Sequence, residues 1–348
     1  MRPPIVARVD RARIAGRWVA DAVVELGEAG MRLVPGDEAP PRIRSRIHGT
    51  LLPPITDAHV HLGLADAALA APTTLGRVLD LGWAPAALPA LVEAATAAHR
   101  GLDVRFAGPF HAAIGGYPSD RAWAPPGAVA ELAGASDAVR SVRAQARAGA
   151  SVIKVSLNAE AGPVPDAAML AAIVDEAHAH GLLLVAHAQG PGAAERALAA
   201  GVDVLAHAPW TERLSDELIG EAAASQTWIS TLAMHERDGD PAALERATDN
   251  LARFAAAGGA VAYGTDLGNG LTRFDLDDSE VAALRRAGLD GTALVDALLA
   301  EHLLPPGPTV TSCTAAVHDD ESLLAALLGP PRHRPRPLPH TTFDLEDA

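Results

Sequence analysis

The chain has 348 residues, which corresponds to two average domains of ~150 residues or to one α/β barrel of ~250 residues with appendages. Hydrophobic residues make up 49% and charged residues 20%, so the chain can bury a large core and is not disordered as a whole. Aromatic residues are only 3%, which predicts a mainly aliphatic core. The net charge of -15 repels phosphate backbones, and no Lys/Arg-rich block opposes it, which argues against a nucleic-acid partner.

Cysteine content and hydropathy predict a soluble, cytoplasmic protein. The single cysteine, Cys313, has no partner for an internal disulfide, and the first residues lack the apolar stretch of a signal peptide. No uninterrupted apolar run reaches the ~18 to 20 residues that cross a bilayer, so no membrane association is expected.

The first 54 residues are expected to form a small β-rich cap. Apolar and polar positions alternate from residue 5 to residue 34, a pattern typical of short strands. A segment rich in proline and charge follows and leads to GTLLPPITDAHVHL, where a different pattern begins near residue 54.

Residues 55–304 are expected to form a (β/α)8 TIM barrel. Short runs rich in Val, Ile and Leu alternate there with Ala-rich helical segments, which indicates repeated β-α units around a parallel sheet. The eight candidate strands are ITDAHVH, GRVLDLG, VRFAGP, SVIKVS, LLLVAH, DVLAH, WISTL and AVAYGTD. An open doubly wound sheet is the alternative, but its usual Gly-rich turn does not follow the first strand.

The repeating pattern ends after residue 304. PPGPTV, GPPRHRPRPLPH and the acidic DLEDA have turn or tail compositions, with one helix-like piece, ESLLAALL, between them. Residues 305–348 are therefore expected to form an irregular, partly mobile C-terminal extension that is atypical of a barrel.

The first strong chemical signal is the pair His59 and His61 in the first candidate barrel strand. Residues i and i+2 of a strand point to the same side, so the two imidazoles can bind one metal ion. A second pair, His178 and His180, ends a predicted helix, where a two-residue step turns roughly 200° and separates the rings. That second pair is assigned to helix capping and solvent.

Further candidate ligands lie at the ends of later strands. His187 ends LLLVAH, His207 ends DVLAH, and Asp266 ends AVAYGTD. In a (β/α)8 barrel the carboxyl ends of the strands form the rim where active sites are built. The intervals from His61 to Lys154, from Lys154 to His187 and from His207 to Asp266 fit whole numbers of β-α units of roughly 30 residues. The interval from His187 to His207 is shorter.

Lys154, expected at the end of the fourth strand, is the only lysine among the 28 basic residues. Arginine stays protonated, whereas a buried lysine near metal ions can lose its proton and react with carbon dioxide to form a carbamate. The two carbamate oxygens can bridge two cations. A rim lysine in a salt bridge is the alternative, but the use of arginine at every other basic position favours the carbamate.

With these residues the sequence resembles the amidohydrolase superfamily of metal-dependent hydrolases. The resemblance covers about residues 48 to 295 and is greatest for the imidazolonepropionase and prolidase-like branch. The residues that carry it are, in chain order, Asp57-x-His59-x-His61, Lys154, His187, His207 and Asp266. The family pattern usually continues with an Asn-Pro-Ala segment and strands that complete a β-sandwich, but EHLLPPGPTV follows here, which argues against a complete sandwich.

The resemblance implies two divalent metal ions, usually zinc, with manganese or iron as alternatives. The implied ligands are His59, His61 and Asp266 for the more buried ion, His187 and His207 for the more exposed ion, and carbamylated Lys154 as the bridge. Two such ions lower the pKa of a shared water, and the resulting hydroxide attacks a carbonyl. Asp266 would accept the proton of the water and pass it to the leaving nitrogen.

The predicted reaction is therefore hydrolysis of an amide or cyclic amide C–N bond in a small molecule, with dipeptide cleavage as a related option. The alternatives are a decarboxylase, deaminase or lactonase of the same fold and a non-catalytic barrel scaffold. Deaminase-like members typically use one metal without the bridging lysine, and a scaffold would be expected to have lost ligands, whereas none of the six is missing.

Loops after the candidate strands supply four residues for substrate contact: His111, Tyr117, His235 and Arg273. His111 and His235 follow strands closely and could bind the carbonyl or the tetrahedral oxyanion. Arg273 would favour a substrate carboxylate, as in an N-acyl amino acid or a dipeptide. By analogy with other binuclear barrels, a homo-oligomer is also expected.

Overall fold

The computed structural model describes residues 3–65, 72–270, 273–330 and 334–343. The strands in this part of the chain are β1 (Ile5–Ile14), β2 (Arg17–Gly27), β3 (Gly30–Leu33), β4 (Ser45–Leu52), β5 (Thr56–Val60), β6 (Arg77–Asp80), β7 (Asp103–Phe106), β8 (Phe110–Ala113), β9 (Val129–Leu132), β10 (Val152–Asn158), β11 (Leu183–Gln189), β12 (Val204–Leu205), β13 (Thr227–Ile229), β14 (Ala260–Ala262), β15 (Thr309–Cys313) and β16 (Arg336–Pro339).

The helices lie mostly between consecutive strands of the middle region, and a short 3-10 helix at His340–Phe343 follows the last strand. They are α1 (Leu88–Ala98), α2 (Ala135–Arg147), α3 (Ala167–Ala179), α4 (Ala193–Ala199), α5 (Asp216–Ala223), α6 (Leu232–Arg237), α7 (Pro241–Ala256), α8 (Asp278–Arg286), α9 (Gly291–Leu299) and α10 (Asp320–Leu327). None of these helices is long and apolar enough to span a membrane.

Two parallel sheets form the centre of the molecule. One has seven strands in the order β14-β13-β12-β11-β10-β8-β9, and the other has three in the order β5-β6-β7. All eight strands that the sequence predicts for this region lie in these sheets, which confirms the mixed α/β class. The strands β8 and β9 are additional, and β8 lies where the sequence predicts a loop.

Backbone hydrogen bonds join the two parallel sheets. The Ala58 amide donates to the Tyr263 carbonyl (2.9 Å) and the His61 amide to the Leu267 carbonyl (2.8 Å), so β5 is linked to the segment after β14. At the other end of the small sheet, the Ser151 amide, just before β10, donates to the carbonyl of Phe106 in β7 (2.8 Å).

Alternation along the buried strand β10 decides which side chains reach the interior of the sheet. Ile153, Val155 and Leu157 pack in the cluster shared with the helices, whereas Val152 packs in a second cluster with small aliphatic residues of neighbouring strands. Successive side chains of a strand point to opposite faces. Lys154 therefore shares the face of Val152, away from the helices.

The segment after residue 304 is more regular than its composition predicts. Strand β15 pairs antiparallel with β4 and with β16, so the N-terminal sheet has six strands in the order β16-β15-β4-β1-β2-β3. Pro337 and Pro339 lie in β16, the edge strand, where a missing N–H group does not break the sheet. The expectation that residues 305–348 form an irregular extension is therefore wrong for the described part of that segment. The division of the chain into domains stays a prediction.

One buried arginine ties the N-terminal sheet to the helical layer. The Arg13 side chain in β1 is 0% exposed and contacts Asp296 (2.6 Å), Glu301 (3.4 Å) and Asp320 (3.1 Å). These carboxylates come from α9, the residues after it, and α10. The ion-pair network therefore holds the β-rich cap in a fixed position on the middle region.

We expect the substitution Arg13→Met to lower the free energy of unfolding by about 2–3 kcal/mol, because it leaves three neighbouring carboxylates without their shared cation. The matched control is Arg8→Met on the same strand, whose Asp21 pair is mostly exposed, and its effect should stay below about 1 kcal/mol. Urea denaturation measures both values. Equal effects of the two substitutions would contradict the structural role of Arg13.

Candidate metal centre

A cleft with a volume of about 500 Å³ opens at the carboxyl ends of the parallel strands. All six metal ligands that the sequence predicts line this cleft. They are His59, His61, Lys154, His187, His207 and Asp266. Because these residues come from five different strands or from the segments that follow them, the cleft exists only once the parallel sheets have formed.

The tightest group in the cleft consists of His59, His61 and Asp266. The Nε2 atoms of the two histidines lie 3.3 Å apart, and Oδ1 of Asp266 lies 3.2 Å and 3.4 Å from them. All three residues are buried, and the geometry suits a metal ion. Asp266 has φ 55°, which non-glycine residues seldom adopt, and its Oδ2 accepts a hydrogen bond from Nδ2 of Asn269 (2.9 Å).

Backbone carbonyls fix how the first two imidazoles face the cleft. Nδ1 of His59 donates to the Ala206 carbonyl (2.8 Å), and Nδ1 of His61 donates to the Gly82 carbonyl (3.2 Å). Each Nε2 therefore carries the free lone pair, as a metal-binding histidine requires. Burial holds the pKa of His59 well below its ordinary value, so this imidazole is neutral at neutral pH.

His187 and His207 lie beside this group with ring centroids 5.0 Å apart. Nε2 of His187 donates to Oε1 of Gln189 (3.0 Å), which leaves its Nδ1 unprotonated, and Nδ1 of His207 lies 2.9 Å from Oγ1 of Thr231. Burial lowers the pKa of His187 to about 4 and that of His207 well below its ordinary value. Both rings are therefore neutral and available as ligands.

Lys154 is the third residue of β10 and not its last, because the strand continues to Asn158. Its side chain still lines the cleft, although the residue is only 1% exposed, and its Nζ atom has no hydrogen-bond partner among the described residues. Burial lowers the pKa of Lys154 to about 7, although Asp266 and Asp80 act in the opposite direction. A buried amine without a partner costs stability unless another group satisfies it.

Two further aspartates, to which the sequence pattern gave no role, support the site. The Asp80 carboxylate accepts the amide N–H groups of Leu62 (2.8 Å), which follows His61, and of Gly82 (3.0 Å), whose carbonyl accepts from the His61 ring. The Asp57 carboxylate accepts hydrogen bonds from the His59 amide (3.1 Å) and from the Thr265 hydroxyl (2.6 Å). The second of these bonds joins β5 to the segment before Asp266. Burial raises the pKa of Asp57 to about 7. The sequence signal for Asp57 is its place in DAHVH, whereas Asp80 has no comparable motif.

Close packing of the backbone also positions His59. A Cβ atom at Gly264 would lie 2.3 Å from Cγ2 of Ile229 and 3.1 Å from Cβ of His59. Only glycine allows the segment after β14 to approach β5 this closely.

The four predicted substrate-contact residues divide into two pairs. Tyr117 and His235 line the cleft, with the Tyr117 ring stacked on His187 at a centroid distance of 5.2 Å. His111 lies on β8 and faces α2, because its Nδ1 donates to the Lys154 carbonyl (3.0 Å) and its Nε2 accepts from the Ser141 hydroxyl (2.9 Å). The structure therefore does not bring His111 to the cleft.

Arg273 is also outside the cleft. Its side chain is 62% exposed and contacts Asp275 at 3.3 Å, and it is not among the residues that line the cavity. The expected contact between Arg273 and a substrate carboxylate has no support from this position. The control pair His178 and His180 lies at the end of α3 with both rings partly exposed, as predicted, and the rings contact two different carboxylates, those of Asp203 and Glu176.

Solved structures with the same fold include several proteins described as hydrolases. A Xaa-Pro dipeptidase with bound methionine in the active site matches with a TM-score of 0.66 at 16% identity, covering 92% of this chain and 96% of that chain. A. niger ochratoxinase matches with a TM-score of 0.66 at 17% identity, covering 90% of each chain. Phenylurea hydrolase B matches with a TM-score of 0.64 at 14% identity, covering 92% of this chain and 93% of that chain.

The chain therefore shares its fold with solved structures described as a dipeptidase, an ochratoxinase and a phenylurea hydrolase, and with one described as an amidohydrolase. At identities this low, such likenesses show the fold alone. No protein-family model matches the chain, and no curated protein matches it significantly.

Glu280 positions the helix that carries His235. Its carboxylate accepts the amide N–H groups of Leu232 (3.0 Å) and Ala233 (2.6 Å) at the start of α6. Burial raises the pKa of Glu280 to about 7, although hydrogen bonds from Ser230 and from these amides act against the shift.

The raised pKa of Glu280 predicts a pH dependence of stability. Between the ordinary pKa of 4.5 and the folded-state value of about 7, the folded chain binds this proton more tightly than the unfolded chain, so the contribution decreases as pH rises. The stability of the parent relative to Glu280→Gln should fall by about 2.5 kcal/mol from about pH 5 to about pH 8. Denaturation series at several pH values measure it, with Glu221→Gln on the exposed face of α5 as the control.

The substitution His111→Phe tests the structural assignment of that residue. We expect a loss of stability of about 1–3 kcal/mol, because the Lys154 carbonyl and the Ser141 hydroxyl lose a buried partner. Metal content should stay unchanged, since the ring does not line the cleft. Thermal unfolding and metal analysis are the two measurements, and a selective loss of substrate affinity with unchanged stability would contradict the assignment.

Proposed function

We propose that the chain is a metal-dependent amidohydrolase that cleaves an amide or cyclic amide C–N bond of a small molecule. The observation that carries the proposal is the convergence in a single buried cleft of four imidazoles, one aspartate and one amine that has no hydrogen-bond partner among the described residues. The fold agrees with it, because proteins described as a dipeptidase and a phenylurea hydrolase share it. A cavity of about 500 Å³ suits a small-molecule substrate.

We further propose that the two parallel sheets are parts of one (β/α)8 barrel. The hydrogen bonds from Ala58 to Tyr263 and from Ser151 to Phe106 support this, because they connect the three-stranded sheet to the larger sheet at both of its ends. In such a barrel, β7 and β8 together occupy the third strand position. Catalytic residues of this fold come from the carboxyl ends of the strands, where the cleft lies.

The donor set fits divalent metal ions, with zinc as the proposed metal and manganese or iron as alternatives. His59, His61 and Asp266 would hold one ion, and His187 and His207 would contribute to a second. Neutral imidazoles and carboxylate oxygens are ordinary zinc ligands. Ions bound there polarise a carbonyl oxygen and make hydroxide available at neutral pH.

Lys154 is the proposed bridge between the two ions after carbamylation. Its neutral amine would attack the carbon of carbon dioxide, so that an N–C bond forms and the nitrogen releases one proton. The product carries two carboxylate-like oxygens in place of an amine that has no partner. This accounts for a lysine at a buried position in a chain that otherwise uses arginine.

Asp266 is the proposed general base and acid. As water adds to the substrate carbonyl, a C–O bond forms and the Asp266 carboxylate takes the proton that the water loses. The same proton then goes to the leaving nitrogen as the C–N bond breaks. The hydrogen bond from Asn269 holds one carboxylate oxygen while the other faces the histidines.

Tyr117 and His235 are the proposed contacts to the reacting carbonyl. Burial raises the pKa of Tyr117 to about 12, so its hydroxyl stays protonated and can donate a hydrogen bond to an oxyanion. Burial lowers the pKa of His235 to about 4, so this ring is a neutral donor or acceptor. A homo-oligomeric state and a cytoplasmic location remain predictions.

Metal analysis of the purified chain tests the proposal. We expect about two ions per chain and hydrolysis of at least one compound in a panel of N-acyl amino acids, dipeptides, anilides, lactones and cyclic ureides. The substitution Lys154→Arg should abolish turnover and weaken metal binding, because a guanidinium cannot form the carbamate. Lys154→Met, which has no charge, should give the same result if folding is intact.

The control is His178→Asn, which changes a His-x-His pair outside the cleft and should alter neither metal content nor activity. Incorporation of ¹³C-labelled bicarbonate, followed by NMR of the metal-loaded protein, reports the carbamate directly. About one ion per chain would favour a mononuclear enzyme, and no bound metal would favour the scaffold. Full activity of Lys154→Arg would contradict the bridging role.

A further inference from the structure

One third of the aromatic residues of the chain line this one cleft. The chain has only five tryptophans, five phenylalanines and two tyrosines among its 348 residues. Four of them line the cavity: Phe110, Tyr117, Trp123 and Trp210. Other aromatic residues, such as Trp228, Phe254 and Phe274, are fully buried in the core, whereas rings that line an open cavity can contact a ligand.

The aromatic rings surround the donor cluster from two sides. Tyr117 lies nearly parallel to His187, with 29° between the ring planes, and Trp123 meets Tyr117 edge-on at 6.4 Å. On the other side, the Trp210 ring is 5.3 Å from that of His207 and nearly perpendicular to it. Tyr117, Trp123 and Trp210 are only partly buried, so part of each ring remains accessible to a ligand.

Outside the donor cluster the described cleft walls carry negative charge, which disfavours an anionic ligand in the metal-free chain. Apart from the six donor residues, the charged side chains among the described residues that line the cavity are Asp238 and Asp240, both acidic. Two arginines contact the aromatic walls but do not line the cavity. Arg121 lies 5.4 Å from the Tyr117 ring centroid, and Nε of Arg246 donates to the Trp210 carbonyl (2.6 Å).

From these two features we infer that the substrate is an uncharged amide that carries a flat aromatic ring. The inference rests on the proposed amidohydrolase function and names its substrate class. The ring stacks against Tyr117 or Trp210 while the amide carbonyl lies over the donor cluster. A carboxylate on the same ring is repelled by Asp238 and Asp240, which weakens binding. This differs from the N-acyl amino acid substrate that was expected from Arg273.

Three matched probes separate the two parts of the inference: acetanilide, N-cyclohexylacetamide and 4-acetamidobenzoate. The first two differ in ring aromaticity, and the first and third differ in a carboxylate. The full chain is freed of metal by a chelator so that no turnover occurs, and binding is measured by equilibrium dialysis. Acetanilide should bind roughly two- to tenfold more tightly than the cyclohexyl compound, as expected for one or two aromatic contacts.

Variants assign the preference to the cleft. Trp123→Leu and Trp210→Leu should each reduce the ratio of acetanilide to N-cyclohexylacetamide affinity by a factor of at least two. The control is Trp18→Phe in β2, whose indole contacts Asp320 and not the cleft, and it should leave the ratio unchanged. Thermal unfolding of each variant verifies that the chain is folded.

Equal affinities for acetanilide and the cyclohexyl compound, tighter binding of 4-acetamidobenzoate, or no binding of acetanilide at millimolar concentration would each overturn the inference. Hydrolysis is measured separately on the metal-loaded chain by release of aniline or cyclohexylamine. Selective binding without hydrolysis of any amide would contradict the proposed reaction and leave the aromatic preference standing. Hydrolysis of these amides without the aromatic preference would contradict the inferred substrate class and leave the proposed reaction standing.

Discussion

The parallel alignment of the central strands is the constraint on which the site depends. In the register of β10 and β11, Lys154 lies opposite Val185 and Ser156 lies opposite His187. Val152 and Val185, which precede Lys154 and His187 on the same strand faces, pack in the aliphatic interior. Polar donors therefore begin where the packed interior ends, and all of them reach the same side of the sheets.

Burial of these donors opposes folding and prepares the site for a ligand. The imidazoles of His59, His187 and His207 are neutral and keep their lone pairs. The amine of Lys154 lies in a low-dielectric cleft without a hydrogen-bond partner among the described residues. Hydrogen bonds from His59 and His61 to backbone carbonyls fix the rings before any ligand arrives. A cation would relieve much of this unfavourable burial, so affinity for metal and stability of the fold are linked.

Much of the fold and of the donor set follows from short-range patterns in the sequence. The eight central strands coincide with short runs rich in Val, Ile and Leu, and the candidate metal ligands lie near the carboxyl ends of these strands or just beyond them, except for Lys154, which is the third residue of β10. The C-terminal strands were missed because Pro337 and Pro339 look like loop residues, and only pairing at a sheet edge makes them compatible with a strand. Strand β8 was missed because FHAA is too short to show alternation.

The sequence by itself determined the central strands, the residue types at their ends and the unusual position of the only lysine, because these depend on neighbours a few residues apart. The tertiary structure decided which polar residues face the cleft. His111 turned toward α2 and Arg273 toward solvent, while Trp123 and Trp210 came to the donor cluster from separate loops. The direction of a loop side chain depends on contacts between segments far apart in the chain, and local patterns carry no information about those contacts.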